Sequence, residues 1–180
     1  NLTIVEPCGA RQIAAATRAV AQHHGPVYFR LHRPTKPLNV TESMLSLEIG
    51  KGQLLIEGSD AIIFAAGHMV DEALTAANNL RSKGINISVA NIHTLKPLDN
   101  DFILQYAESS SAIITAENHS IIGGLGSAVA EVLSEAGISK PFKRIGVRDV
   151  FAEGGTTDYL FAKYEINFES IERAVIELIN

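Results

Sequence analysis

Acidic, amide and imidazole side chains follow an apolar run in the second half of the chain. The run is Ala112–Ala116, and Glu117, Asn118 and His119 come directly after it. A glutamate and a histidine this close together could exchange a proton with a bound molecule. Side chains of these types also form hydrogen bonds at the ends of strands and helices, so a structural role is the competing interpretation.

A glycine-rich loop comes next and contains Gly123, Gly124, Gly126 and Ser127. Apolar side chains at helical spacing follow it, so the segment predicts a strand, a glycine loop and a helix. This layout places backbone N–H groups at the carboxyl edge of a parallel sheet, where an anion can bind. The loop has no lysine and does not follow the dinucleotide-binding spacing. We therefore expect it to pack against the sheet or a second subunit, with anion binding as the alternative.

Arg33 follows a predicted strand, Val27–Leu31, in the motif RLHRP. Ligand sites concentrate at the carboxyl ends of strands in open α/β sheets, and a guanidinium can form a two-pronged contact with phosphate. We favour a ligand-binding role for Arg33 over a surface salt bridge. We expect His32, on the alternate face, to be structural, and Arg30 to be a second cation or a sheet-edge contact.

Histidines follow three predicted strands, at His68, His93 and His119. A shared metal site is one hypothesis, but the spacing matches no known zinc motif, so we expect capping and interface hydrogen bonds instead. Cys8 has no clear base partner, and we expect it to be a packed side chain rather than a nucleophile.

Strands and helices alternate along the chain, which predicts an α/β fold with an open, mostly parallel sheet and helices on both faces. A βαβ unit with a proline-rich linker precedes it over residues 1–42, and the main domain spans residues 43–180. Gly58–Asp60 lies between two strand patterns and predicts a hairpin. His93–Pro97 is predicted to be a loop.

The composition is that of a globular protein: 180 residues, 46% hydrophobic and 19% charged, with a formal net charge of −5. The negative charge does not favour nucleic acid as a partner. No apolar run approaches the ~20 residues that cross a bilayer, and a single cysteine excludes an internal disulfide. We therefore expect a cytoplasmic protein. The chain begins at Asn1 and enters a strand pattern almost at once, so we expect a piece of a longer protein.

Four blocks of the sequence together resemble the C-terminal domain of transketolase: EGSDAIIFAAGHMVDEAL, VANIHTLKPLD, AENHSIIGGLGSAVAEVL and KRIGVRDVFAEGGTTDYL. They are most similar to the split type, in which the second half of the enzyme is a separate polypeptide. The opening segment, GARQIAAATRAVAQHHGPVYFRLHRP, resembles the end of the pyrimidine-binding domain of that family.

This resemblance implies a transferase of carbohydrate metabolism that moves a two-carbon ketol unit between sugar phosphates. The full enzyme would use thiamine diphosphate with Mg²⁺ or Ca²⁺, and this chain would pair as a homodimer or with an N-terminal subunit. The residue at the position of Arg33 contacts the substrate phosphate in the family. The family's cofactor-activating glutamate and its GDG metal-binding motif match nothing here. The resemblance therefore implies no catalytic residue, metal or bound cofactor in this chain, and no activity for the chain alone.

Related enzymes with the same C-terminal architecture stay open as alternatives, namely 1-deoxyxylulose-5-phosphate synthase and the β chains of 2-oxoacid dehydrogenases. A non-catalytic oligomerisation or anion-binding module is an alternative of another class. The segment Ile121–Ala128 is apolar and poor in charge, so we expect it to contribute to self-association.

Overall fold

Two β-sheets organise the part of the chain that the structure, a computed structural model, describes, which is residues 1–32 and 46–180. The predicted linker and Arg33 lie outside these residues. The strands are β1 (Thr3–Val5), β2 (Val27–Phe29), β3 (Gln53–Ile56), β4 (Ala61–Ala65), β5 (Ile87–Asn91), β6 (Thr94–Lys96), β7 (Ala112–Ser120) and β8 (Phe142–Val147). The helices are α1 (Gly9–Gln22), α2 (Met69–Ser82), α3 (Asn100–Ser109), α4 (Leu125–Glu135), α5 (Thr157–Lys163) and α6 (Phe168–Ile179).

The larger sheet has the strand order β3-β5-β4-β7-β8, in which all neighbours are parallel except the antiparallel edge strand β3. Its central strand β4 is buried along its whole length, as expected for a strand covered on both faces. Ile63 packs in one apolar cluster, with residues of α2 and α6, while Ile62 packs in the other, with residues of α3 and α4. The predicted fold class, an open and mostly parallel α/β sheet, is confirmed.

The predicted hairpin at Gly58–Asp60 is wrong, because β3 pairs with β5 and not with β4. The turn instead packs against the start of β5. Gly58 N donates to Ser88 Oγ at 2.9 Å, and Asn86 N donates to Asp60 Oδ2 at 2.7 Å. A Cβ at Gly58 would lie 2.5 Å from the carbonyl carbon of Ile87, so the backbones approach too closely for a side chain here.

The smaller sheet has the order β2-β1-β6 and contains a strand that the sequence did not predict. β1 and β2 are parallel and joined through α1, as expected for a βαβ unit. β6 lies in the segment predicted to be a loop, and it pairs antiparallel with β1. The small sheet therefore takes strands from both sides of the proposed boundary at residue 42, which itself stays a prediction.

Two predicted helix ends are confirmed by the structure. Asp99 Oδ1 accepts a hydrogen bond from Phe102 N at 3.3 Å at the start of α3. Gly84, after α2, has a φ of 83°, which a glycine adopts readily.

Within residues 1–32 and 46–180, no helix has the length and apolar character to cross a bilayer.

Candidate functional site

A buried carboxylate joins the two sheets at the carboxyl ends of their strands. Glu6 follows β1 directly, and its side chain is only 4% exposed. Arg30, which follows β2, donates from Nη1 to Glu6 Oε1, and His32 Nε2 lies 2.8 Å from the same oxygen. Arg30 also donates from Nη1 to Asn118 Oδ1 at 2.8 Å and from Nη2 to the Asn118 carbonyl oxygen at 3.1 Å. We call Glu6, Arg30, His32 and Asn118 the Glu6 cluster.

The Glu6 cluster has a tightly fitted neighbour in Gly67, which follows β4. A Cβ at this position would lie 2.3 Å from Glu6 Oε1 and 2.5 Å from His32 Nε2. The φ of Gly67 is 55°, a left-handed conformation that also favours glycine. Only a residue without a side chain therefore allows β4 to end against the carboxylate. Arg30 is thus the cation of a partly buried ion pair, and His32 contacts the same carboxylate.

A second buried carboxylate, that of Glu117, fills the N-terminus of α4. Its Oε2 accepts from Leu125 N and its Oε1 from Gly126 N, both at 2.8 Å. These are among the N–H groups that a helix start leaves without a partner inside the helix. Burial raises the pKa of Glu117, and the two N–H donors act in the opposite direction. A Cβ at Gly124 would lie 1.9 Å from Glu117 Oε2, so this glycine makes room for the carboxylate.

The rest of the glycine loop is also tied down by internal hydrogen bonds. Gly123 N donates to Ser127 Oγ at 3.0 Å, and Ser127 Oγ donates to the Ile121 carbonyl oxygen at 3.0 Å. Arg144 Nη1 donates to the same carbonyl at 2.9 Å. A Cβ at Gly126 would lie 2.7 Å from Thr115 Oγ1, so this residue packs closely on the sheet. These contacts favour packing over anion binding as the role of Gly123, Gly124, Gly126 and Ser127.

The three histidines at strand ends have separate environments. The His68 ring lies 6.4 Å from the His32 ring and 5.0 Å from Phe161, and burial is the main cause that lowers its pKa. His93 is fully buried, and its Nε2 has no hydrogen-bond partner. His119 is exposed, with Nδ1 3.0 Å from the Ser120 carbonyl oxygen. In the described part of the chain, no group of three or more His, Cys, Asp or Glu could hold a metal ion.

Cys8 is 2% exposed, and burial raises the pKa of its thiol to about 12. A thiol with so high a pKa is hardly ionised at neutral pH and is a poor nucleophile. The expectation of a packed rather than a nucleophilic cysteine is confirmed.

A cleft of about 460 Å³ lies between the two sheets, beside the Glu6 cluster. Arg30 and Glu6 line one part of it, and His119, Gly123 and Gly124 line another. The structure therefore brings the glycine loop and the end of β2 to one cleft. Its volume and its mixture of charged and apolar groups suit a small polar molecule.

Sequence reasoning missed Glu6, although a signal for it exists. Val5 and Phe29 are directly paired in the parallel register of β1 and β2, so the next residues, Glu6 and Arg30, must also lie side by side. An acidic and a basic residue directly after two parallel neighbouring strands therefore predict an ion pair. The contact with Asn118 has no such signal, because it joins two different sheets.

Comparison with known proteins identifies the family to which this chain belongs. The family model described as the transketolase C-terminal domain matches residues 50–171, which contain the whole five-stranded sheet and the glycine loop. The chain belongs to the transketolase C-terminal domain family.

Similar proteins include a transketolase subunit and a synthase. The chain is 45% identical to a 6-deoxy-6-sulfo-D-fructose transketolase subunit of Clostridium sp. (strain MSTE9), over 99% of this chain and 55% of the relative. It is 36% identical to a 1-deoxy-D-xylulose-5-phosphate synthase of Syntrophotalea carbinolica, over 97% of this chain and 28% of the relative. The transketolase C-terminal domain and its adjoining βαβ unit thus span about half the length of the first of these relatives.

A solved structure shows the same arrangement of elements. A split-gene transketolase in an inactive β4 tetramer superposes with a TM-score of 0.92 at 40% identity, over 99% of this chain and 58% of that chain. The match extends beyond residues 50–171, so it includes the small sheet as well as the transketolase C-terminal domain.

Proposed function

We propose that this chain is the C-terminal portion of a thiamine-diphosphate-dependent transketolase that transfers a two-carbon ketol unit between sugar phosphates. One observation carries the proposal. The chain aligns over 99% of its length with a 6-deoxy-6-sulfo-D-fructose transketolase subunit, at 45% identity. The alignment covers 55% of that subunit, so the activity belongs to a larger assembly of which this chain is a part.

The role of this chain within the enzyme is mainly architectural. It pairs with a second copy of itself or with an N-terminal subunit, and it contributes a substrate contact. We assign that contact to Arg33, which lies outside the described residues. The assignment is supported by its place after β2 and by the fit of a guanidinium to a phosphate group.

The described residues do not fit a complete site for thiamine diphosphate and its metal ion. The α4 N-terminus, which could hold a diphosphate, is occupied by the Glu117 carboxylate. Residues 1–32 and 46–180 contain no cluster of side chains suited to a metal ion. We therefore place the cofactor with Mg²⁺ or Ca²⁺ on other parts of the enzyme and derive no catalytic step in this chain.

Formation of 1-deoxyxylulose 5-phosphate is the second candidate activity. A synthase of that name is 36% identical to this chain over 97% of its length. The chain covers 28% of that relative, against 55% of the transketolase subunit. The higher identity favours transketolase.

Reconstitution tests the proposed activity. The full-length subunit that contains this chain is mixed with the N-terminal subunit, thiamine diphosphate and Mg²⁺, and ketol transfer between sugar phosphates is followed. We expect activity in the mixture and none from this chain alone. An Arg33→Ala variant should lower kcat/KM for phosphorylated substrates by about one to two orders of magnitude and spare unphosphorylated ones. Formation of 1-deoxyxylulose 5-phosphate without ketol transfer would overturn the proposal in favour of the second candidate.

A further inference from the structure

The larger sheet has a topological switch point between β4 and β7. The two strands are parallel neighbours. The helix that follows β4, α2, packs in one apolar cluster, and the helix that follows β7, α4, packs in the other, so the two helices cover opposite faces of the sheet. The chain therefore leaves these strands in opposite directions, which opens a crevice outside their carboxyl ends. In open α/β sheets, ligands bind in this crevice.

A pocket of about 280 Å³ lies in the crevice, and we call it the switch-point pocket. Its polar lining includes His68, which follows β4, and Asn118, near the end of β7. His32 of the Glu6 cluster and Thr157, the first residue of α5, complete this set. The volume is just below the ~300–1,000 Å³ of pockets that take drug-sized ligands, so the pocket suits a smaller molecule.

These four side chains have hydrogen-bonding capacity that no described residue uses. The two ring nitrogens of His68 and the hydroxyl of Thr157 have no hydrogen-bond partner within residues 1–32 and 46–180. His32 uses Nε2 within the Glu6 cluster, which leaves Nδ1. Asn118 uses Oδ1 in the same cluster, which leaves the two N–H groups of Nδ2. The pocket therefore presents both donors and acceptors to a bound molecule.

The charges around the pocket favour an uncharged ligand. Its lining contains no lysine, arginine, aspartate or glutamate. Burial is the main cause that lowers the pKa of His68, so at neutral pH its imidazole is uncharged and offers one donor and one acceptor. The guanidinium of Arg30 is already engaged by Glu6 and Asn118. A phosphate or carboxylate group would therefore enter the pocket without a free counter-charge, which is unfavourable.

An apolar wall faces the polar groups and includes Val147, Leu160 and Phe161. A hydroxyl group can both donate and accept a hydrogen bond, whereas the C–H groups of a carbon chain pack against apolar side chains. A short chain that carries several hydroxyl groups matches both sides of such a pocket.

We propose that the switch-point pocket binds a small uncharged polyol, the hydroxyl-bearing carbon chain of a short sugar or sugar alcohol. Its hydroxyl groups exchange hydrogen bonds with His68, Asn118 and Thr157, and its carbon chain packs against the apolar wall. This inference goes beyond the proposed function, because it concerns binding to residues of this chain and requires neither the cofactor nor a second subunit.

An NMR titration of the ¹⁵N-labelled 180-residue chain tests the proposal. The probes are ribitol, ribitol 5-phosphate and 1-pentanol, which have the same number of carbon atoms. Ribitol should shift the amide signals of Gly67, Asn118 and Thr157 in a saturable way, with a Kd that is roughly millimolar. Ribitol 5-phosphate should bind no more tightly. 1-Pentanol has a single hydroxyl group and should bind about 10-fold more weakly than ribitol.

Two substitutions remove hydrogen-bonding groups from the pocket and change the size of the side chain little. Thr157→Val and His68→Phe should each weaken ribitol binding by about 3- to 10-fold, the loss of one hydrogen bond. Thr17→Val and His119→Phe are the matched controls, because these exposed residues do not line the pocket. Both controls should leave the Kd of ribitol unchanged.

The proposal is overturned if ribitol causes no saturable shift at the pocket residues, or if 1-pentanol binds as tightly as ribitol. Tighter binding of ribitol 5-phosphate than of ribitol overturns the uncharged character of the ligand. Equal losses in the pocket variants and in their controls overturn the location of the site. None of these results depends on ketol transfer, so failure here is distinguishable from failure of the transketolase assignment.

Discussion

Arg30 links the small sheet to the large one through its contacts with Glu6 and Asn118. An Arg30→Met variant keeps the aliphatic stem and leaves the Glu6 carboxylate buried with fewer donors. Removing one partner of a fully buried ion pair costs about 3–5 kcal/mol. The Arg30 side chain is 26% exposed, so we expect a smaller loss of unfolding free energy, about 2–3 kcal/mol, by urea denaturation.

Arg173 provides the matched control for this substitution. It pairs with Glu165 at 2.9 Å on the surface, where both side chains are largely exposed. Arg173→Met should cost about 1 kcal/mol or less, because solvent screens such a pair. Equal losses in the two variants would show that the Arg30 contact is not the buried junction described here.

His93 should make stability depend on pH. Burial lowers the pKa of His93 from 6.5 to about 4, so the folded state binds this proton less readily than the unfolded state. Its contribution to stability is complete above pH 6.5 and is lost as the pH falls toward 4, by about 3 kcal/mol in total. Glu72 and Glu117 have raised pKa values, and they act in the opposite direction as the pH falls.

Comparison with a His93→Gln variant separates the contribution of the histidine to the pH dependence of stability from the contributions of Glu72 and Glu117. The variant has no imidazole to protonate, so the difference in unfolding free energy between the two proteins should shrink as the pH falls from 6.5 to 4. Chemical denaturation at several pH values measures this difference. A difference that is constant with pH would contradict the assignment of a buried neutral imidazole.

Individual side-chain roles could be predicted from the sequence only where local pattern determines them. Cys8 is packed, as the pattern predicted, and His32 contacts Glu6. The ion pair of Glu6 depends on the alignment of two parallel strands, which must be known before the contact can be expected. The contact with Asn118 depends on how two sheets pack, and no local pattern records that packing.

Helix α4 depends on Glu117 for the partners of its first N–H groups. A Glu117→Gln variant presents one acceptor and one donor to two N–H groups, so one hydrogen bond is lost. We expect a loss of about 1–3 kcal/mol in unfolding free energy, the cost of a buried group left without a partner. Glu131→Gln, on the exposed face of the same helix, should change stability by about 0.5 kcal/mol or less.

Each of these two glutamine variants removes one carboxylate near or on α4. Glu117 is buried and Glu131 is exposed, so the pair tests the effect of burial. If both variants leave the urea midpoint unchanged, the Glu117 carboxylate is not needed at the α4 N-terminus. An anion in solution could then compete for the glycine loop, contrary to the packing role inferred for it.

The order of helices and strands was predictable because hydrophobic periodicity distinguishes them, as in α2 and α4. Strand pairing was less predictable. The turn at Gly58–Asp60 has the composition of a hairpin, but β5 lies between the strands on either side of it. β6 was missed because its three residues carry little pattern and are fixed by pairing with β1.

At the scale of the whole molecule, the described residues form two sheets that are held together through buried carboxylates. Its buried carboxylates are used to join elements: Glu6 joins two sheets, and Glu117 joins a strand to a helix. The chain spans 55% of a related transketolase subunit, and under the proposed function the cofactor chemistry belongs to the rest of the enzyme. The family could be predicted from sequence blocks, whereas the contacts between the two sheets required the structure.

Calorimetric titration of thiamine diphosphate in the presence of Mg²⁺ is the most direct test of where the cofactor binds. The titration is made into the chain alone and into the enzyme assembled from the N-terminal subunit and the full-length subunit that contains this chain. We predict no binding to the chain alone and stoichiometric binding to the assembled enzyme. Tight stoichiometric binding of thiamine diphosphate to the chain alone would contradict this prediction.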